Sequence, residues 1–200
     1  MTHEQLTERI AEVALLRGEF TLRSGRKSKY YLDKYLFETQ PDILKALGEC
    51  FAARIAAVDK VDRLAGAELG GIPLVTAASM ATGIPSVLIR NQKKDYGTAK
   101  QLEGTLHEGD RVVIVEDIGT TGGQALEAAK VIQAQGAEVV KIIFVIDRQE
   151  GARENVEAAG LTFEALFTKA ERSGPGPQAG SLHGAVGPQR RHRDASRFVS

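Results

Sequence analysis

The sequence predicts an α/β fold in which helices flank an open, mainly parallel β-sheet. From residue 63 onward, apolar runs rich in β-branched residues alternate with segments whose apolar residues have helical spacing. Alternation of this kind builds right-handed βαβ units around a parallel sheet. The chain has 200 residues, of which 42% are hydrophobic, and this suffices for one domain with a full core. We therefore expect a single domain over residues 1–172.

The composition argues against nucleic acid and membranes as the main partners. Residues 1–172 hold 22 basic and 25 acidic residues, and a slightly acidic body does not attract a polyanion. No apolar run approaches the roughly 20 residues that span a bilayer. The amino terminus lacks the basic and then apolar pattern of a signal peptide, so we expect a cytoplasmic protein. Cys50 is alone, which excludes a disulfide framework, and its apolar neighbours predict a buried thiol.

The first part of the chain predicts two helices and a short hairpin. Thr2 and Gln5 form a capping-box pattern, and apolar residues then recur at helical spacing until Gly18. Residues 20–22 and 30–32 have the composition of short strands. The seven residues between them include four bases, which a solvated hairpin turn also explains. A second helix begins near Pro41 and buries its apolar face as far as Ile55.

The rest of the chain predicts strands and helices that meet at one edge of the sheet. Strands are expected at residues 63–67, 86–89, 111–117, 139–147 and 161–167, and helices at 72–81, 124–135 and 152–159. Ligands of open parallel sheets bind above the carboxyl ends of the strands. Four segments should therefore converge on one site: residues 67–71, the loop after Arg90, the loop after Glu116, and residues 147–151.

The stretch Val112–Gln124 has the most informative chemistry. Four β-branched residues precede Glu116 and Asp117, and a turn of small residues leads into a helix. Such a turn points backbone N–H groups and the positive end of a helix dipole at one place, which suits a phosphate. The two carboxylates can accept hydrogen bonds from a sugar diol or hold a hydrated metal ion, although a solvated strand end or a helix cap has the same pattern. We predict a sugar phosphate site whose loop comprises Ile118, Gly119, Thr120, Thr121, Gly122, Gly123 and Gln124.

Two segments fall outside the alternation of strands and helices. Residues 91–109 are long and polar for a connection, and Lys93, Lys94 and Lys100 suit either a lid over a phosphate site or a surface loop. Residues 173–200 contain half of the chain's prolines and four arginines, with almost no apolar pattern. Such a composition cannot bury enough surface to offset its ordering entropy, so we expect a disordered tail.

These motifs together resemble the phosphoribosyltransferases, and within them the orotate phosphoribosyltransferases. The Val112–Gln124 stretch is similar to the superfamily's motif for 5-phosphoribosyl 1-diphosphate. Three further segments are similar to signatures of the orotate enzymes: Phe20–Gly25 with Tyr30 and Tyr31, Arg90 with Lys94–Gly97, and Asp147–Gly151. The resemblance covers residues 18–168. It implies a phosphoribosyltransferase-type sheet with a small amino-terminal hood and a mobile catalytic loop.

The resemblance implies a role for each matching residue. It implies catalysis for Arg90, Lys94, Glu116 and Asp117. It implies that the sugar diphosphate contacts these four residues, Arg23, Tyr96 and the loop Ile118–Gln124. The orotate site is implied to comprise Tyr30, Tyr31, Thr120 and Arg148. Arg148 would pair with the orotate carboxylate, and a salt bridge with Asp147 or Glu150 is its alternative. Because Tyr30 and Tyr31 alternate on a strand, only one of them can face the base.

The resemblance also implies an activity, a cofactor and an assembly. The orotate enzymes transfer the phosphoribosyl group to orotate, with Mg²⁺ held mainly by the diphosphate and the ribose hydroxyls and by no dedicated protein site. They work as homodimers whose loop reaches the neighbouring subunit. Asn91 stands where many of them have a second basic residue, and Gly70 where many have a lysine in the diphosphate loop. A phosphoribosyltransferase for another base, or a non-catalytic regulator that senses the sugar diphosphate, is an open alternative.

Overall fold

The computed structural model describes residues 1–21, 25, 27–91 and 101–169. The helices are α1 (His3–Ala14), α2 (Lys34–Glu38), α3 (Pro41–Ile55), α4 (Gly71–Thr82), α5 (Gly123–Gln133) and α6 (Ala152–Ala158). The strands are β1 (Leu15–Thr21), β2 (Lys27–Leu32), β3 (Arg63–Ala67), β4 (Ser86–Ile89), β5 (Leu102–Glu103), β6 (Arg111–Gly119), β7 (Glu138–Asp147) and β8 (Phe163–Thr168). The predicted tail lies outside the described residues, as do Arg23, Lys94 and Tyr96.

The main sheet has six strands in the order β5-β4-β3-β6-β7-β8. Strands β4, β3, β6, β7 and β8 are mutually parallel, and only the two-residue edge strand β5 pairs antiparallel with its neighbour in this sheet. Strand β6 lies between β3 and β7, so its long apolar run is covered on both sides and both faces. The prediction of an α/β fold around an open, mainly parallel sheet is confirmed.

The core consists of two layers, one on each face of the sheet. Along β6, Val113 and Val115 pack with buried residues of α1, α3 and α4, whereas Val112 and Ile114 pack with those of α5 and α6. This division follows from the strand period of two, which sends successive side chains to opposite faces. The carboxyl ends of β3, β6 and β7 are therefore fixed from above and below by helices.

The amino-terminal region forms a hairpin apart from the main sheet. Strands β1 and β2 pair antiparallel from Leu15 opposite Leu32 to Thr21 opposite Lys27. Helix α2 follows directly, with the Asp33 side chain accepting a hydrogen bond from the Tyr35 N–H at 3.1 Å. We call β1, β2 and α2 together the hood. It corresponds to the small amino-terminal hood that the resemblance implies.

The structure corrects three expectations about the elements. The first helix ends at Ala14 and not at Gly18, because Leu15 takes an extended conformation and begins β1. Helix α2 and strand β5 were not predicted, since five and two residues are too short to show a period. Cys50 is only partly buried at the margin of the core, so the prediction of a fully buried thiol is wrong.

No helix in the described ranges is long and apolar enough to cross a bilayer.

Candidate active site

The predicted phosphate loop begins where β6 ends and turns into α5 through a glycine. Gly122 has φ 73° and ψ 5° and stands at the N-cap of α5, where no side chain caps the helix. A side chain at this position would also come 3.3 Å from Val156 Cγ2 of α6, so both the conformation and the packing favour glycine. The first N–H groups of α5 thus have no side-chain cap, which makes them available to an anion.

Contacts from β7 and α6 fix the shape of this loop. The Arg148 N–H donates to the Gly119 carbonyl oxygen at 2.9 Å. Asn155 Nδ2 of α6 donates to the Thr121 carbonyl oxygen, also at 2.9 Å. Asn155 was not predicted to be functional, because it lies 34 residues after Thr121 and belongs to no local motif. It positions the backbone that would bind the phosphate.

The four segments predicted to converge are in contact. Gln124 Nε2 donates to the Glu68 carbonyl oxygen at 2.6 Å, which ties the phosphate loop to residues 67–71. Glu68 Oε1 accepts the Asn91 N–H at 2.7 Å, which adds the segment after Arg90. With the bond from Arg148 to Gly119, one continuous set of hydrogen bonds connects the carboxyl ends of β3, β4, β6 and β7.

Glu116 and Asp117 are buried side by side at the end of β6, each 3% exposed. Lys34 Nζ of the hood donates to Asp117 Oδ2 at 2.5 Å, and Asp117 Oδ1 accepts the Ile118 N–H at 2.5 Å. Glu116 Oε1 accepts the Asp117 N–H at 3.3 Å. Glu116 Oε2 is buried without a hydrogen-bond partner among the described residues. The acid pair therefore retains an acceptor for a ligand, and Lys34 is a site residue that the sequence patterns did not indicate.

A third carboxyl, Glu38 of α2, is buried against the acid pair. It is 1% exposed, and neither of its oxygens has a hydrogen-bond partner in the described part of the chain. A Cβ atom at Gly70 would lie 1.8 Å from Asp117 Oδ2 and 3.1 Å from Glu38 Oε1. The backbone of residue 70 thus lies directly against both carboxyls. A side chain at this position, such as the lysine of many orotate enzymes, would require the Asp117 carboxyl to move.

Burial and charge set the protonation of this cluster. Burial, followed by the negative charge of Asp117, raises the pKa of Glu38 and that of Glu116 from 4.5 to about 8. Burial lowers the pKa of the Lys34 ammonium, but the hydrogen bond to Asp117 and the charge of that carboxylate outweigh it, so the pKa lies above 10.5. Burial therefore favours the neutral form of Glu38 and Glu116 at neutral pH, while the Lys34 ammonium is bonded to Asp117.

Arg90 and Asn91 stand at the edge of the sheet where β4 meets β5. The Arg90 N–H donates to the Gln101 carbonyl oxygen at 2.8 Å, and Gln101 Nε2 donates to the Arg90 carbonyl oxygen at 3.1 Å. The Arg90 guanidinium lies 3.9 Å from Glu103 Oε1. Arg90 and Gln101, which lie near the two ends of the undescribed residues 92–100, are thus bonded to each other at the sheet edge.

Arg148 lies in a tight turn after β7, close to its own neighbours. Asp147 Oδ1 accepts the Gln149 N–H at 2.7 Å, and Gln149 has φ 56°. Arg148 Nε lies 3.5 Å from Glu150 Oε1, with both side chains about a third exposed. Of the two alternative salt bridges, the one with Glu150 is formed in this structure. Asp147 instead accepts the Gln149 N–H in the turn. A pair this exposed is weak, and an incoming carboxylate can compete for the arginine.

Tyr30 and Tyr31 are adjacent on β2 of the hood. The Tyr31 ring packs on Phe20, with ring centroids 5.6 Å apart, and the two tyrosines are similarly exposed, Tyr30 at 50% and Tyr31 at 45%. That only one of them faces the base stays a prediction. Arg23, which belongs to the same signature, lies outside the described residues.

The arrangement as a whole suits a phosphorylated sugar. A glycine turn presents uncapped helix N–H groups, and the buried acid pair with free acceptor capacity adjoins it at the end of the same strand. Within the described ranges, no group of three or more His, Cys, Asp or Glu side chains is arranged to hold a metal ion. The site can therefore bind an anion and a diol.

Comparison with known proteins agrees with this chemistry. The family model for the phosphoribosyl transferase domain matches residues 36–165. The orotate phosphoribosyltransferase of Natronomonas pharaonis is 41% identical over 172 residues, which cover 86% of this chain and 97% of that protein. The enzyme of the same name from Methanocaldococcus jannaschii is 45% identical over 168 residues, covering 84% of this chain and 94% of the relative. This chain belongs to the orotate phosphoribosyltransferase family.

Solved structures of orotate phosphoribosyltransferases have the same fold. The crystal structure of the Mycobacterium tuberculosis H37Rv enzyme in complex with Fe(III) dicitrate superposes with a TM-score of 0.79 at 32% identity, covering 86% of this chain and 98% of that one. A second structure of that enzyme, in complex with 5-phospho-α-D-ribosyl 1-diphosphate, gives a TM-score of 0.72 at 31% identity, with coverages of 85% and 98%. The phosphoribosyltransferase-type sheet implied by the sequence is confirmed for this orotate phosphoribosyltransferase family member.

Proposed function

We propose that this protein transfers the phosphoribosyl group of 5-phosphoribosyl 1-diphosphate to orotate, giving orotidine 5′-phosphate and diphosphate. The observation that carries the proposal is the uncapped α5 start at Gly122 next to the buried Glu116–Asp117 pair. The relatives named above add the identity of the acceptor. The reaction belongs to pyrimidine nucleotide synthesis, because its product is the direct precursor of a pyrimidine nucleotide.

The phosphate loop and the acid pair bind the ribose 5-phosphate part of the donor. The N–H groups from Thr120 to Gln124 bind the 5-phosphate, with the α5 dipole behind them. Glu116 and Asp117 accept hydrogen bonds from the 2- and 3-hydroxyls and fix the ring. As the bond to the diphosphate breaks, positive charge develops at the anomeric carbon, and the preorganised carboxylate of Asp117 stabilises it.

The diphosphate leaves as an anion, so the catalyst must supply positive charge on that side. Arg90 at the sheet edge, with Lys94, Tyr96 and Arg23 from segments outside the described residues, provides it. Mg²⁺ is the cofactor, and it neutralises charge on the diphosphate when it is bound. Glu116 Oε2, which has no hydrogen-bond partner among the described residues, would accept a hydrogen bond from a water bound to such an ion.

Orotate binds between the hood and the turn after β7. Arg148 exchanges its weak pair with Glu150 for the orotate carboxylate, with the bidentate geometry that a guanidinium supports. Thr120 and one tyrosine of the pair Tyr30 and Tyr31 contact the base. Because uracil lacks the carboxylate, this arrangement selects orotate over uracil.

The protein acts as a homodimer in the cytoplasm, with the segment that contains Lys94 serving the neighbouring subunit. The family resemblance supports this assembly. The described edge at Arg90 and Gln101, where that segment leaves and rejoins the sheet, is compatible with it.

A spectrophotometric assay tests the proposed function. We expect orotate absorbance to fall when 5-phosphoribosyl 1-diphosphate and Mg²⁺ are added to the purified protein, with orotidine 5′-phosphate identified by mass. Chelating Mg²⁺ should stop the reaction, and uracil in place of orotate should give no product. Turnover of uracil at a rate like that of orotate would overturn the acceptor, and no turnover of any nucleobase would overturn the enzymatic role.

A further inference from the structure

We propose that Lys34 is a further substrate-binding residue, whose ammonium neutralises Asp117 in the free protein and moves to the diphosphate of the donor on binding. The ribose hydroxyls then take its place on Asp117. This inference rests on the proposed function. It assigns a role to a residue of the hood that no motif in the sequence indicated.

The position of Lys34 is set by the start of α2. Asp33 caps this helix through the Tyr35 N–H, so the Lys34 backbone is fixed at the first helical residue. Its Nζ lies 5.1 Å from the centroid of the Tyr35 ring and ends on Asp117 Oδ2, 83 residues further along the chain. The Lys34 side chain is 27% exposed, whereas that of Asp117 is 4% exposed. A ligand entering from solvent therefore meets the ammonium before the carboxylate.

The contacts of Asp117 favour an exchange. Its Oδ1 accepts the Ile118 N–H, and its Oδ2 is bonded to Lys34 and lies against Gly70. A sugar hydroxyl that approaches Oδ2 competes with the ammonium. An ammonium displaced into a pocket with the buried carboxyls Glu38 and Glu116 needs an anionic acceptor, and the substrate brings one.

The geometry favours the diphosphate over the 5-phosphate as that acceptor. The 5-phosphate seat begins at Gly122, beyond the Gly119–Thr121 segment, and is served by the N–H groups of α5. Lys34 Nζ is bonded to Asp117 Oδ2, the oxygen that lies against Gly70, and Gly70 belongs to the loop that resembles the diphosphate loop. Residue 70 has no side chain, so a cation for this side must come from another residue. Lys34 is such a cation.

Binding measurements with two charge-removing variants test this inference. Lys34→Gln keeps a hydrogen-bond donor for Asp117 and removes the charge, and Lys34→Met removes both. Calorimetry in the presence of Mg²⁺ should show that the affinity for 5-phosphoribosyl 1-diphosphate falls roughly 10- to 100-fold in both variants. This is the loss expected when a hydrogen bond between charged groups is removed. The affinity for orotidine 5′-phosphate, which has the ribose and 5-phosphate but no diphosphate, should not fall, because its ribose no longer has to displace an ammonium. Lys34→Arg should restore most of the donor affinity.

The controls separate this role from a structural one. Lys45→Gln removes an exposed lysine paired with Glu49 on α3 and should alter neither affinity. An equal loss for donor and product would mean that Lys34 merely positions Asp117, and unchanged donor affinity would mean that it does not bind substrate; either result overturns the inference. If Lys34→Met unfolds below the temperature of the titration, the affinities of Lys34→Gln alone test the inference. Failure of the wild-type protein to bind the donor would instead refute the proposed function.

Discussion

Asp117 is the residue in which the contacts of the site converge. It lies at the end of β6, bonds to Lys34 of the hood, and touches the backbone of Gly70 after β3. Its carboxylate is thus fixed by three elements before any substrate arrives. Preorganisation of this kind lets a charge stabilise a transition state without the cost of reorientation.

We predict that Asp117→Asn lowers kcat by about 10² to 10³, the usual effect of removing one preorganised charge, while the fold is retained because the shape is conserved. Steady-state kinetics of orotate consumption measure it. Glu127→Gln, an exposed residue of α5 paired with Lys130, is the matched control and should behave as the wild type does. A kcat within a factor of three of the wild type would exclude Asp117 from catalysis.

We also predict that Arg148→Ala raises the KM for orotate by roughly 10- to 100-fold, because a hydrogen bond to a charged group is lost. The KM for the sugar diphosphate should stay within threefold. Arg148→Lys should recover little, since an ammonium cannot form the bidentate pair. Arg153→Ala on α6 removes a nearby arginine paired with Glu157 and serves as the control. A parallel rise in both KM values would show that Arg148 supports the loop and does not select the base.

The contact between helix α2 and strand β6 makes the stability of the fold depend on pH, because it buries Glu38 and Glu116. The pKa values of Glu38 and Glu116 rise from 4.5 to about 8 on folding, so the folded state binds more protons than the unfolded state between these limits. The free energy of unfolding should therefore decrease as pH rises from about 4.5 to about 8. Urea unfolding at constant ionic strength measures this slope.

Glu38→Gln should reduce that slope, because it removes one of the two carboxyls whose pKa is raised to about 8 and preserves the volume. Glu127→Gln should leave it unchanged, since Glu127 is exposed on α5. A slope in Glu38→Gln equal to that of the wild type would show that Glu38 does not titrate in this window.

Helix α6 contributes to the site through one side chain. Asn155→Ala removes the hydrogen bond to the Thr121 carbonyl oxygen, and we expect the KM for the sugar diphosphate to rise about fivefold, as for a typical neutral hydrogen bond, with kcat little changed. Glu154→Ala, an exposed neighbour on the same helix, should leave both constants unchanged. An unaltered KM in Asn155→Ala would mean that the phosphate loop keeps its shape without this tether.

Across the whole molecule, the parallel sheet was predictable because its strands are buried on both faces and appear as continuous apolar runs. The phosphate loop and the acid pair were predictable for a similar reason: their residues are adjacent in sequence. Lys34, Glu38 and Asn155 were not, because each meets its partner across a long stretch of chain and in no repeated spacing. Helix α2 carries two of these three residues and is itself too short to give a periodic signal.

The proposed homodimer can be tested by mixing two variants that are inactive on their own. Lys34 and Asp117 belong to one chain, whereas Lys94 would serve the neighbouring site, so mixing Lys94→Ala with Asp117→Asn should restore activity. Random mixing gives half of the dimers one site with both residues intact, so about a quarter of the wild-type activity should return after unfolding and refolding together. Recovery no greater than the sum of the separate variants would exclude a shared loop.

Strand β5 sets a limit on what that loop can reach. Its pairing with β4 places Arg90 and Gln101 within hydrogen-bonding distance, so residues 92–100 start and finish at one point of the sheet edge. Because a chain extends at most ~3.6 Å per residue, the Cα of Lys94 works within roughly 11 Å of the Cα of Asn91. This limit on the distance between the two Cα atoms applies in either subunit. A dimer can share this lysine only if the partner's diphosphate site lies within that distance plus the length of the lysine side chain, and this restricts the dimer axis to positions near the β4–β5 edge.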